Sequence, residues 1–372
     1  MRDEDKAHGP RPVGLIQYLT ENAGRYYPEL DSPPVRVTLR GVRRRSYSVI
    51  YRFTLEAGDR RRPIVVKVRR PLNGSTDLGQ AVPRPRVVPL RADAAALEHE
   101  HAALSAIHAH FTRQEDARFD AVRILDLLDE HQALVMDELR QPTLSRAMLR
   151  GNRLQHRSAG PMLRRSFRHT GAWLRRFHQL PPLPHTRDLP SSRAQFVATI
   201  FGLSDYLGGL LPARKLLHDA VTRAADALPE KWPLATGHGD FAPRNVFVGD
   251  NERITVIDTI ALWRVPISQD IGCFLVAMNA SRPQVYTQGG WCPAAVRRAW
   301  ESEFLQGYFG DAEVPMQTIR LHELQALLDR WASTIHDPPR PTGLRRGAQP
   351  LRLMLLNRFF RRYLASLLAE LR

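Results

Sequence analysis

Strand-like and helix-like patterns occupy separate parts of this chain, and that segregation limits its fold more than any other feature. Residues 35–70 carry three β-type runs. VRVTL alternates, SVIYRFTL and PIVVKV follow, and the turn-like EAGDRRR parts the last two. The Pro/Gly-rich stretch 71–89 reads as an exposed loop. Residues 92–111 are Ala/Leu-rich with apolar positions at helical spacing, which predicts a helix. VRILDLL and ALVMDEL, within residues 121–139, predict a hairpin. Beyond about residue 141 the pattern is helical to the end, apart from 243–262, where NVFVGD and ITVIDTI regain strand character. RRSFRHTGAWLRRFHQL (164–180) predicts an amphipathic helix stopped by PPLP. The strand-rich part thus precedes the helical part, with a boundary near residues 136–141. That order is α+β, not the regular alternation of a doubly wound sheet.

Composition narrows the class. With 43% hydrophobic and 25% charged residues in 372, wholesale disorder is excluded and a sizeable core needs no metal or disulfide staple. Cys273 and Cys292 lack CxxC spacing and have too few partners for zinc, so a reduced, cytoplasmic chain is expected. MRDEDKAHGPRP is charged and has no apolar stretch behind it, so no signal peptide is expected. No run of about 18 apolar residues predicts a membrane span. The net charge is +16, carried by fifty arginines and only four lysines. It favours anionic partners.

Chemistry concentrates in residues 237–272, GHGDFAPRNVFVGDNERITVIDTIALWRVPISQDIG. Asp240 and Asn245 are five apart across a loop, and Asn245 opens the strand NVFV. The turn GDNE leads into ITVIDT, which delivers Asp258. Paired as a hairpin, these strands bring one carboxylate and one amide oxygen together, with a second carboxylate close by. Hard oxygen ligands of this kind suit Mg²⁺ bridged to substrate phosphates. A carboxylate beside such a metal can orient a hydroxyl and accept its proton.

HGDFAPRN, followed by VID and then DIG, resembles the aminoglycoside-phosphotransferase-like kinases, which share the protein-kinase fold. The resemblance spans roughly residues 35–280. It implies a bilobal α+β fold: a small β-rich N-lobe over 35–139, preceded by an extension (1–34), and a larger, mainly helical C-lobe over 140–372. It further implies an ATP- and Mg²⁺-dependent transfer, with GTP as an alternative nucleotide, to a small-molecule hydroxyl. Within residues 237–246, Asp240 would be the catalytic base, Asn245 and Asp258 would hold Mg²⁺, and His238 and Asp270 would brace the loop. Gly239 stands where protein kinases have Arg, which disfavours a phosphorylation-gated protein kinase.

Lys67, in the strand PIVVKV, matches the phosphate-binding lysine of the fold, against the alternative of an edge-strand lysine that snorkels to water. Glu100 fits the spacing of its carboxylate partner better than Glu98. ALVMDEL resembles the hinge, so Asp137, Glu138 and Leu139 would offer backbone groups to adenine. His178 reads as packing. One departure is plain: the expected Gly-rich loop is GVRRRSYSVIYRF (41–53), where Ser46 and Ser48 can offer hydroxyls and N–H groups as an improvised nest. Arg244 reads equally as a phosphate contact or a solvated side chain.

The charge argues against polycationic aminoglycosides and for an anionic or membrane-linked acceptor: a sugar, a glycan or a related metabolite. From Arg340 to Arg372 there are eight arginines and one acid. The helix expected at 350–372 either packs on the helical lobe or lies peripherally on anionic lipid at the inner membrane face. STIHDPPRPTGLRRG (333–347) reads as a loop. The rival readings are a catalytically silent kinase fold that binds nucleotide and a partner protein, and a lipid or glycolipid kinase. A third is an anionic-polymer binder, although no motif for specific nucleic-acid binding is present.

Overall fold

The computed structural model describes residues 12–31, 34–45, 48–69, 94–153, 159–183, 186–189, 192–211, 214–226, 228–259, 261–336 and 349–371. The chain divides into two compact units. One comprises the described residues within Met1–Leu78, Pro89–Glu115 and Ala121–Arg140; the other those within Gly79–Val88, Asp116–Asp120 and Gln141–Arg372.

In the first unit, α1 (Pro12–Tyr26) precedes β1 (Arg36–Arg44), β2 (Ser48–Ala57) and β3 (Arg60–Arg69). α2 (Ala94–Arg113) follows. The short β4 (Phe119–Ala121), whose first two residues belong to the other unit, precedes β5 (Ile124–Leu128) and β6 (Ala133–Asp137), the expected hairpin. The sheet order is β1-β2-β3-β6-β5, antiparallel throughout. Alternation explains its core: Ile64, Val66 and Val68 of β3 are buried on one face with Val49, Tyr51, Phe53 and Leu55 of β2. Leu15, Leu19 and Ala23 of α1 belong to the same core, so the segment read as an extension carries part of it.

The second unit contains α3 (Leu144–Arg153), α4 (Ala159–Phe177), β7 (Arg187–Asp188), α5 (Arg193–Leu207) and α6 (Arg214–Asp226). Next come β8 (Leu234–Thr236), β9 (Val246–Val248), β10 (Ile254–Val256) and β11 (Trp263–Pro266). It ends with α7 (Ile267–Asn279), α8 (Arg282–Tyr286), α9 (Ala294–Phe309), α10 (Met316–His336) and α11 (Gln349–Glu370). β9 and β10 pair as the expected hairpin, and β4 adds to its edge. A second small sheet, β7-β11-β8, was not foreseen, because strands of two to four residues are too short to show a period.

α4 and α9 approach closely through two glycines. A Cβ on Gly171 would stand 1.9 Å from the Phe304 carbonyl oxygen, and one on Gly307 would stand 1.8 Å from that of Arg168. Another core joins α5, α6, α10 and α11 around Trp331, Leu324 and Phe360. α11 packs with Phe359, Phe360, Leu364, Leu367 and Leu368 buried. Residues 333–336, expected as loop, instead complete α10, where Ile335 still packs on this core. The expected loop 71–89 lies outside the described residues. Among them, no helix is long and apolar enough to cross a membrane.

Candidate active site

The loop after β8 is anchored from below. Gly237 donates its N–H to the Trp263 carbonyl at 2.8 Å. His238 is fully buried and donates its backbone N–H to Asp270 Oδ2 at 2.7 Å. Its ring lies among Trp173, Phe177 and Phe241, with centroids 5.3–6.2 Å away. Nδ1 accepts the Asp240 N–H at 3.3 Å, which puts the ring hydrogen on Nε2. Burial pulls the imidazole below its ordinary range, against the opposing charges of Asp270, Asp240 and Asp258. The ring is a neutral strut, and all three carboxylates lie near enough to act on it. Gly239 follows with φ +83°. A long side chain in that conformation would be strained, a physical reason for the missing arginine.

Asp270 sits in the first turn of α7, buried. Besides the His238 amide it faces His178 Nε2 at 3.3 Å, and His178 Nδ1 lies 2.7 Å from the Tyr308 hydroxyl. Burial pushes the Asp270 carboxyl up, but the hydrogen bonds from His178 and from the His238 amide outweigh it and hold it below the usual range. His178, read from sequence as packing, therefore orients the carboxylate that holds the loop. It follows the end of α4, and Tyr308 lies on α9, so the glycine-mediated contact of those helices sets this chain.

Asp240 presents its carboxylate at the loop surface, with the side chain 41% exposed. Asn245 Nδ2 donates to Asp240 Oδ2 and to the Asp240 backbone carbonyl, both at 2.9 Å. Arg244 forms an ion pair with Oδ1. The Asn245 amide nitrogen is thus committed, which leaves Oδ1 as the atom that could ligate a metal. The β9–β10 pairing places Ile257 N–H on the Asn245 carbonyl at 3.1 Å, and Asp258 is the next residue. Asp258 is exposed, with φ +59°, a left-handed conformation that Asp tolerates better than most residues. One amide oxygen and one carboxylate, both hard donors, fit Mg²⁺ that keeps waters and phosphate oxygens as its other ligands. Among the described residues no set of three or more His, Cys, Asp or Glu is placed to bind a metal.

In the first unit, Lys67 Nζ pairs with Glu100 Oε1 at 2.9 Å. Arg69 joins the same carboxylate, Nε to Oε2 at 3.2 Å. Lys67 and Arg69 are two apart on β3, so they share a face of the strand and both meet α2. Burial pushes Glu100 up, yet the Lys67 and Arg69 cations hold it below the usual carboxylate range. Arg69 was missed as a partner although its spacing from Lys67 was the available signal.

At the expected hinge, the Asp137 and Glu138 N–H groups are engaged by the Arg123 and Pro63 carbonyls, each at 3.1 Å. Their side chains hold Arg123 and Tyr27, and Arg40 and Arg52, respectively. Leu139 makes no backbone–backbone hydrogen bond among the described residues. Ser48 opens β2, buried opposite Arg69, and its carbonyl accepts the Arg45 N–H at 2.8 Å. Ser46 lies outside the described residues.

Comparison with known proteins gives the family and the fold. Residues 51–286 match the phosphotransferase enzyme family. Among solved structures, the chain resembles a choline/ethanolamine kinase family protein from Mesorhizobium loti, with 14% identity, a TM-score of 0.51, and coverage of 97% of this chain and 99% of that one. It resembles a spectinomycin phosphotransferase in complex with ADP and spectinomycin (12%, TM-score 0.50, 92% and 97% covered). A Plasmodium vivax ethanolamine kinase is similar at 12% identity and TM-score 0.50, covering 97% and 91%. These similarities establish the protein-kinase-like fold. Comparison with curated proteins gives no match.

Proposed function

The chain belongs to the phosphotransferase enzyme family, and on that footing we propose that it transfers the γ-phosphoryl group of ATP to a hydroxyl of a sugar, glycan or related anionic metabolite. The observation that carries this reading is the Asp240–Asn245 contact at 2.9 Å. It fixes a partly exposed carboxylate and leaves the Asn245 amide oxygen out of that contact, on a residue whose backbone pairs with Ile257, the neighbour of Asp258.

In the proposed step, Asp240 accepts a hydrogen bond from the acceptor hydroxyl and takes its proton as the oxygen attacks phosphorus. The bond from the γ-phosphorus to the bridging oxygen breaks, and its electron pair leaves with ADP. Arg244, on the other Asp240 oxygen, supplies positive charge beside the phosphoryl group. Mg²⁺, when bound by Asn245 Oδ1 and Asp258, would neutralise charge on the phosphate oxygens. Lys67 would contact the nucleotide phosphates, with its ammonium positioned by Glu100. Leu139 would offer its backbone to the base. The arginines 43–45 stand where glycines are usual, and their charge would meet phosphate there.

Calorimetric titration with ATP, with and without Mg²⁺, beside Asp258→Asn and Asp240→Ala, tests this. The expected result is Mg²⁺-dependent binding that Asp258→Asn weakens. Asp240→Ala should retain binding but lose transfer by about 10²–10⁴-fold. Intact transfer in either variant would overturn the roles, and no nucleotide binding at all would favour a silent scaffold. A membrane-linked acceptor is a second reading, supported by α11, where Leu351 and Met354 are each 56% exposed near Arg352 and Arg358. Cosedimentation with phosphatidylglycerol vesicles, absent with phosphatidylcholine, would support it.

A further inference from the structure

Tyr27 follows α1 and precedes residues 51–286, the span that matches the family. Its ring is buried, with the Arg62 and Arg123 guanidinium carbons 5.4 and 5.0 Å from its centroid. Its hydroxyl donates to Asp137 Oδ1, and Arg123 Nε donates to Oδ2 at 3.1 Å. Asp137 ends β6 and stands opposite Ile64, so its side chain lies on the sheet face that carries the core of β2 and β3. Glu138, the next residue, is held from the other face. Arg52 pairs with it at 3.1 Å and stands opposite Val65, on the side away from Ile64. Arg40 joins the same carboxylate. With both backbone N–H groups bonded as well, the strand end that leads into Leu139 is pinned on two faces. The pins differ in stiffness. Arg40, Arg52 and Arg123 have side chains 33–39% exposed, whereas Tyr27 is 6% exposed. A long surface arginine gives when its partner moves, and a buried ring with one hydroxyl does not.

We propose that Tyr27 is a positioning residue for the nucleotide base: through Asp137 it sets where the backbone of residues 137–139 meets adenine. It touches no ligand itself. The proposal rests on the kinase reading, in which that backbone holds the base. Without the Tyr27 hydroxyl, the Asp137 carboxylate is left to Arg123, and the strand end shifts as far as a partly exposed side chain allows. A base bound by directional hydrogen bonds is sensitive to such a shift, because these bonds weaken steeply away from linear geometry. Phosphate held by the charge of Lys67 is far less so, because Coulomb attraction falls off gradually with distance.

The test is calorimetric titration of the full-length protein with ATP, adenosine and tripolyphosphate, each with Mg²⁺, in the wild type, Tyr27→Phe and Tyr18→Phe. Tyr18 of α1 donates the same kind of bond to the Asp126 carboxylate of β5, at 2.7 Å, and serves as the control. Tyr27→Phe should weaken ATP and adenosine by about threefold to tenfold and leave tripolyphosphate unchanged. Tyr18→Phe should leave all three affinities as they are. Unchanged ATP and adenosine affinities in Tyr27→Phe would overturn the proposal and leave the kinase reading intact. An equal loss for tripolyphosphate, or the same loss in Tyr18→Phe, would also overturn it, since either marks a general loosening of the unit. Should Tyr27→Phe fail to fold, Asp137→Asn decides: a loss confined to ATP and adenosine supports the proposal, and unchanged affinity for both overturns it. A wild type that binds none of the three would remove the kinase reading and this proposal with it.

Discussion

Replacing Asp270 by Asn should unfasten the loop that carries Asp240. The native carboxylate accepts the His238 amide at 2.7 Å and faces His178 Nε2 at 3.3 Å, all of it buried. Both partners meet the same oxygen, Oδ2, so an asparagine oxygen in that place still accepts from them but without the charge that strengthens each bond. Hydrogen bonds to a charged group contribute about 1.5–3 kcal/mol each, against about 0.5–1.5 kcal/mol for neutral ones. The expected loss is about 2–3 kcal/mol, a sizeable share of the roughly 5–15 kcal/mol that keeps a domain folded. At about 2–4 °C per kcal/mol for a unit of this size, Tm should fall by roughly 4–12 °C. Because the carboxyl is held below its ordinary range, its contribution is fully present above the unfolded value near 3.9. It is lost as pH falls through the lower folded value. The Tm gap between wild type and variant should therefore be constant from pH 5 to 7 and close below about pH 4. Differential scanning calorimetry across that range measures it. A gap under about 2 °C at pH 7, or one that widens in acid, would refute the argument.

Two further outcomes follow from close contacts. Glu100→Gln leaves Lys67 and the buried Arg69 without their shared carboxylate, so thermal stability should drop by about 3–5 kcal/mol and ATP affinity by about tenfold. Chemical denaturation and nucleotide titration check this, and unchanged values for both would show that the pair has no such role. Gly171→Ala pushes a methyl group into the Phe304 carbonyl, so separation of α4 from α9 should cost about 1–3 kcal/mol. Since His178 and Tyr308 follow those helices, transfer activity should fall as well; a variant as stable and active as wild type would count against the helix contact as their support.

Much of the architecture was legible in sequence because it is local and periodic. The strand runs of β1–β3, the helix α2, the β5–β6 hairpin and the β9–β10 hairpin each announce themselves within a dozen or so residues. The last of these also places Asn245 next to the residue preceding Asp258, since hairpin register follows from the turn. The fold class was readable from the order of elements, and the Lys67–Glu100 pair from the family resemblance. What escaped were elements too short to show a period, such as β7 and β11, and the continuation of α10 past residue 332, which depended on Ile335 meeting a distant core.

The sequence by itself determined which residues could do chemistry and which local elements would hold them, because side-chain type and periodicity are properties of neighbours along the chain. Tertiary structure alone decided what those residues are at work. His178 meets Asp270 across 92 positions and Tyr308 across 130, and Arg69 reaches Glu100 across 31. No local pattern encodes a pairing at such separation. The neutral ring of His238 and the depressed carboxyl of Asp270 depend on neighbours brought together from distant parts of the chain, and those exist only once the helices have packed.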